Sequence, residues 1–161
     1  MKLLNDVRSF LSRYLPLIAW LAFISYASSA SFSAGNTSRI IGPLVLWLFP
    51  NTSPETLLTI HFITRKLAHL TEYAILGLLA ARAFRTSPRP AIRDRWFLIS
   101  ATLVVAYALL DEYHQSFVPS RTGTVYDSFI DMAGGITALL VVSGRQNRSR
   151  RVANSQSQTT N

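Results

Sequence analysis

Between Asp111 and Asp131 the chain reads DEYHQSFVPSRTGTVYDSFID, which packs Asp111, Glu112, His114, Gln115, Arg121, Asp127 and Asp131 into one short stretch. A second polar row precedes it. His61, Arg65 and His69 recur every four residues, and Glu72 and Tyr73 follow three and four residues after His69, so on a helix these groups descend one face turn by turn. Two kinds of chemistry suit this set. A histidine beside carboxylates can take and return a proton, which makes His69, Glu72, Asp111 and Glu112 the candidates for acid–base catalysis. Alternatively, Arg65, Lys66 and Arg121 can hold phosphate, Arg121 in bidentate fashion, while Asp111, Glu112 and Gln115 bind hydroxyls.

The elements that must carry these residues are apolar. The 161 residues are 49% hydrophobic, and no charged side chain occurs from Tyr14 to Ser38, a run longer than the roughly 20 residues a bilayer-spanning helix needs. Leu67–Ala81, Trp96–Leu110 and Phe129–Val142 are shorter, and each alone suits a buried helix equally well. Charge decides between these readings. Twelve of the sixteen Lys and Arg fall in three clusters, namely Lys2, Arg8 and Arg13; Arg82, Arg85, Arg89, Arg93 and Arg95; and Arg145, Arg148, Arg150 and Arg151. Four crossings put all three clusters on one side, which the positive-inside rule makes the cytoplasm, with both termini there. Six of the eight acids, Glu55, Glu72, Asp111, Glu112, Asp127 and Asp131, then fall on the opposite side or in the adjoining half of the membrane. The expected fold is an all-α integral membrane bundle of four transmembrane helices plus a short interfacial or re-entrant segment, in the cytoplasmic membrane. The net charge of +8 reflects this topology and contact with anionic lipid; without aromatic interleaving on a basic face, nucleic acid is not an expected partner. With no cysteine there is no disulfide and no thiolate chemistry.

Along the chain, Met1–Arg13 is a basic amphipathic start to a retained anchor, with a cleaved signal near Ala27–Ala30 as the rival. Ile40–Phe49 is apolar but interrupted by Gly42 and Pro43 and too short to span. Ser53, Pro54 and Glu55 form a helix start: a capping oxygen, a first-turn proline and an acid favoured by the helix dipole. Thr86–Asp94, with Pro88 and Pro90, is a turn. Pro119 and Gly123 bend the chain between the last two helices, bringing Arg121 against Asp127 or Asp131. Gly134, Gly135 and Ala138 allow a neighbouring helix to come close. Residues 1–144 form the membrane domain; 145–161, rich in Arg, Asn, Ser, Gln and Thr, read as a disordered cytoplasmic tail.

Arg65, Lys66, His69 and Tyr73, then Asp111–Gln115, Arg121, Asp127, Asp131 and Gly134, resemble the motif of the VanZ-like family, over most of the chain from the first helix to about Val142. The resemblance implies a small integral membrane protein, in a family whose namesake is linked to low-level teicoplanin resistance; it supplies no catalytic residues.

Charged groups within a bilayer are costly unless paired or hydrated, so His69, Glu72 and Asp131 are functional candidates by their position. The structural alternative is that Arg65, Lys66 and Arg121 neutralise the acids in ion pairs tying helices together. His61, Tyr113 and His114 read as peripheral. The preferred function is a binding module whose outer polar pocket takes a lipid headgroup or a lipid-linked cell-wall precursor through Arg65, Lys66, His69, Tyr73, Asp111, Glu112, Gln115, Arg121, Asp127 and Asp131. A hydrolase or transferase acting on a lipid-linked substrate is the alternative, although HExxH and GxSxG are missing. A divalent metal on the same His and carboxylates ranks behind it, so no metal or cofactor is expected. A proton-coupled transporter comes last, because the cytoplasmic helix halves lack polar residues to continue a relay. A homo-oligomer stays open.

Overall fold

The computed structural model describes residues 2–29, 34–117 and 125–159, and among these every regular element is helical. In order they are α1 (Lys2–Ala27), α2 (Ala34–Leu48), α3 (Pro54–Arg85), α4 (Pro90–Asp94), α5 (Trp96–Gln115) and α6 (Val125–Thr159). Four of them, α1, α3, α5 and α6, are long and apolar enough to cross a membrane. Many of their large apolar side chains face outward, including Ile18, Phe23, Leu67, Leu98, Leu109 and Leu140. Such a surface suits lipid, where helices satisfy their own backbone polar groups.

Helix α3 is the hub, packing against α1, α2, α4, α5 and α6. It begins as the sequence dictates: Ser53 is the N-cap, and its Oγ accepts the Thr56 N–H at 3.2 Å. It ends where Thr86 turns its backbone N–H onto Arg82, and Pro88 and Pro90 then prevent a simple continuation. The α3–α6 contact is close because it is made by backbone. A Cβ built on Gly77 would stand 2.6 Å from the Gly135 carbonyl oxygen, and one on Gly134 would overlap the carbonyl of Leu70. Val104 of α5 fills the space in front of Gly135. Around this seam lie Tyr73, Leu76, Ala80, Val104, Ala108 and Leu139, all buried. Helix α1 is lashed on by polar contacts: Trp20 Nε1 donates to the Glu72 carbonyl at 2.9 Å, and Tyr107 Oη donates to the Leu21 carbonyl at 2.6 Å.

Ile40–Phe49, expected to be interfacial or re-entrant, belongs to the α2 helix except for Phe49, and Trp47 is largely exposed. Past Gly144, α6 continues as helix to Thr159. Extending an existing helix adds one hydrogen bond per residue fixed, with no new nucleus to form, so a polar sequence can follow a packed one. The described side chains from Arg145 onward remain largely exposed.

The basic clusters meet at one end. Arg13 Nε donates to Thr86 Oγ1 at 3.1 Å, and an Arg82 nitrogen donates to the Ser12 carbonyl at 3.2 Å. A cavity of about 670 Å³ is lined there by Arg82, Arg85, Arg93, Trp96 and Gln146, among others. His69 is thirteen residues before Arg82, which at the rise of an α-helix puts the acid-rich region about 20 Å away along α3.

Candidate functional site

The polar residues selected from the sequence separate into an open group and a buried group, joined at His69. The open group sits between α3 and α6. Phe62, Arg65, Lys66 and His69 from α3, with Tyr126, Asp127 and Ile130 from α6, line a cavity of about 340 Å³. Helical spacing explains the α3 wall: residues 62, 65, 66 and 69 fall at i, i+3, i+4 and i+7, one continuous stripe. Lys66 Nζ forms a very close ion pair with Asp127, a bridge between the two helices at half-buried positions. Lys66 also lies over the Phe62 ring, 5.1 Å from its centroid.

The buried group lies on the inner faces of α3, α5 and α6. Asp111, Glu112 and Gln115 are all buried, and Gln115 Nε2 donates to Asp111 Oδ2 at 2.9 Å, across one turn of α5. The same nitrogen reaches Ser28 Oγ at 3.5 Å, tying α5 to the chain just beyond α1. Asp131 of α6 is 1% exposed, and its Oδ1 stands 3.3 Å from His69 Nδ1. Neither of these two atoms finds a hydrogen-bond partner among the described residues, and neither carboxylate oxygen of Glu112 does. Ligand-type atoms of His69, Asp111 and Asp131 all lie within 4.8 Å of one another.

Several expectations are relocated by this geometry. Tyr73 is wholly buried and donates through its hydroxyl to the Tyr107 carbonyl at 3.3 Å, so it braces α3 against α5. Asp111, Glu112 and Gln115 are buried and are not among the described residues that line this cavity. Glu72 is partly exposed, and its backbone carbonyl anchors Trp20. Arg121, Pro119 and Gly123 lie outside the described residues; among those described, Asp127 is paired with Lys66 and Asp131 faces His69. Tyr113 and His114 point outward, as their spacing suggested. His61 turns toward α2, where a Cβ on Gly42 would come within 3.9 Å of its Nε2.

Sequence reasoning overlooked Phe62, Tyr126 and Ile130, the apolar part of the cavity wall, along with Ser28 and Tyr107. The signal for Phe62 was available, since it precedes Lys66 by four residues on a face already identified. Ser28 carried none, because its role depends on where α1 ends relative to α5.

A close backbone seam, flanked by Lys66 and His69 on α3 and by Asp127 and Asp131 just before Gly134 on α6, joins the motif positions into one three-dimensional unit. The family described as VanZ/LLP1 matches residues 13–145. The chain belongs to that family. The match takes in all of α3, α4 and α5, the described part of the site and the packed part of α6. No curated protein and no solved structure matches the chain.

Proposed function

We propose that this VanZ/LLP1 family member is a multi-pass protein of the cytoplasmic membrane, with both termini in the cytoplasm, that binds a phosphate-bearing lipid headgroup or lipid-linked cell-wall precursor at the outer face. The observation that carries this reading is the α3–α6 cavity, where Arg65, Lys66 and His69 stand beside Phe62, Tyr126 and Ile130. Cationic side chains beside aromatic and aliphatic ones suit a molecule with an anionic head and an apolar tail. The gathering of the basic clusters at the opposite end supports the orientation through the positive-inside rule. Sequestering such a lipid provides a route by which the protein alters sensitivity to a glycopeptide antibiotic.

The test is lipid retention. Protein purified in mild detergent and analysed by native mass spectrometry should carry phosphate-bearing lipid, and Arg65→Ala should lose most of it. A charge-assisted hydrogen bond is worth about 1.5–3 kcal/mol, which is roughly a 10- to 150-fold change in affinity. Equal retention by wild type, Arg65→Ala and Lys66→Ala would remove the reading.

A second reading, a hydrolase or transferase acting on the same class of lipid, has one observation in its favour. His69 both lines the cavity and faces the buried Asp131, the arrangement in which a carboxylate orients an imidazole as a general base.

A further inference from the structure

We propose that His69, Asp111 and Asp131 form a divalent metal site that pins α3, α5 and α6 together beneath the open cavity. The site rests on geometry that the headgroup reading does not use. Three ligand-type atoms from three different helices converge to within 4.8 Å of one another. Adjacent ligands of an ion bound at 2.0–2.1 Å stand about 3.0–3.4 Å apart, and opposite ones about 4.2 Å. The His69 Nδ1 to Asp131 Oδ1 separation of 3.3 Å falls in the first range, and the widest spacing, at most 4.8 Å, must close by up to about 0.6 Å to reach the second.

The independent observation is the lack of partners. Asp131 is 1% exposed, yet its Oδ1 accepts no hydrogen bond among the described residues, and His69 Nδ1 makes none despite lying beside it. The two atoms face each other across 3.3 Å without hydrogen-bond alignment, a spacing that two ligands of one ion also take. Glu112 adds another buried carboxylate, both of whose oxygens are without a hydrogen-bond partner among the described residues. Buried carboxylates require compensating charge. Among the described residues Lys66 is already engaged by Asp127, and His69, facing Asp131, can offset only one of the buried acids Asp111, Glu112 and Asp131. A dication meets the need.

The donor set identifies the class of metal. Carboxylate oxygens with one imidazole fit Mn²⁺ or Zn²⁺, whereas an all-oxygen cage would be expected for Ca²⁺. Supporting contacts are present, since Gln115 Nε2 holds Asp111 Oδ2 and leaves the other oxygen for the ion. His69 borders the open cavity and so gives the ion a path inward. No local motif announces such a site, because the three residues are 20 to 62 positions apart in sequence and come together only through helix packing.

The experiment uses the full chain in detergent without added lipid, so that its outcome is independent of headgroup binding. After treatment with chelator, Mn²⁺ is added and followed by electron paramagnetic resonance, with Zn²⁺ competition and elemental analysis alongside. About one Mn²⁺ per chain, nitrogen modulation from the imidazole in the pulsed spectrum, and loss of both in His69→Gln are the expected results; Asp131→Asn should weaken binding at least tenfold, while Gly144→Ala, remote from the cluster, retains it. Should Asp131→Asn not fold, stoichiometry and nitrogen coupling in the wild type decide. No stoichiometric Mn²⁺ or Zn²⁺ in folded wild type, or binding unchanged in His69→Gln, overturns the site.

Discussion

Asp131 comes within 3.3 Å of His69 one turn away from the point where Gly134 admits the carbonyl of Leu70, so the polar pair and the backbone seam are successive steps of one contact. The polar geometry therefore depends on a residue without a side chain. Gly134→Ala should push α3 and α6 apart, because the obstacle is a carbonyl that cannot rotate away. Overpacking of this kind costs about 1–3 kcal/mol. Thermal unfolding in detergent should show the loss, while Gly144→Ala, whose new methyl has nothing within 4 Å, should be neutral or slightly stabilising. Equal melting temperatures for the two variants would mean that the seam is looser than described.

The Lys66–Asp127 pair makes a separate prediction, since it joins the same two helices at half-buried positions. Lys66→Ala or Asp127→Asn alone should destabilise the protein, and the double variant should lose less than the sum of the two. Contacting residues of this sort couple by roughly 0.5–3 kcal/mol. Strict additivity in unfolding measurements would show that the ion pair contributes nothing of its own to stability.

Gln115 offers a third. Its amide donates to Asp111 and reaches Ser28, so Gln115→Leu keeps the bulk but leaves a buried carboxylate oxygen without its donor. A loss of about 1–3 kcal/mol is expected. Ser28→Ala should cost less, the contact at 3.5 Å being weak. The reverse order in thermal unfolding would indicate that the anchoring of α1 outweighs satisfaction of Asp111.

Much of this architecture was legible because periodicity and charge act locally. The Ser53 cap, the four long apolar helices, the i, i+4 pairing of Asp111 with Gln115 and the small residues at Gly134 and Gly135 all follow from spacing within one element. The division of the site was not legible. Arg65, Glu72 and Asp111 carry similar signals in sequence, but whether a group faces a cavity, an edge or the interior depends on the rotation of each helix about its axis. Tyr73 illustrates this, being four residues after His69 yet buried to brace α5. The partner of Asp127 was equally hidden, because the nearest cation along the chain is Arg121 and the one in space is Lys66.

Membrane orientation is tested by reporter fusions. With the basic clusters cytoplasmic, a fluorescent protein joined after Asn161 should fluoresce and alkaline phosphatase at the same point should be inactive. Phosphatase inserted at Ser116, at the other end of the bundle, should be active. The opposite pattern would invert the proposed topology and move the α3–α6 cavity to the cytoplasmic side.

The last prediction separates binder from catalyst. A general acid or base must exchange a proton, so if Glu72 or Glu112 had that role, Glu72→Gln or Glu112→Gln would abolish function by orders of magnitude in folded protein. A binder loses one contact at a time. Glu112 is buried and is not among the described residues that line the cavity, and its conversion to glutamine should therefore change the phenotype in a graded way, with stability shifting alongside. His69→Ala should be the most damaging single change, because His69 alone belongs to both the open cavity and the buried group. Glycopeptide sensitivity measured across Arg65→Ala, His69→Ala, Glu72→Gln and Glu112→Gln, with membrane expression quantified for each, gives the comparison. All-or-none loss at Glu72 or Glu112 with normal expression would replace the binding module by the enzyme, whereas graded losses led by His69 and Arg65 match a headgroup held at the mouth of the α3–α6 seam.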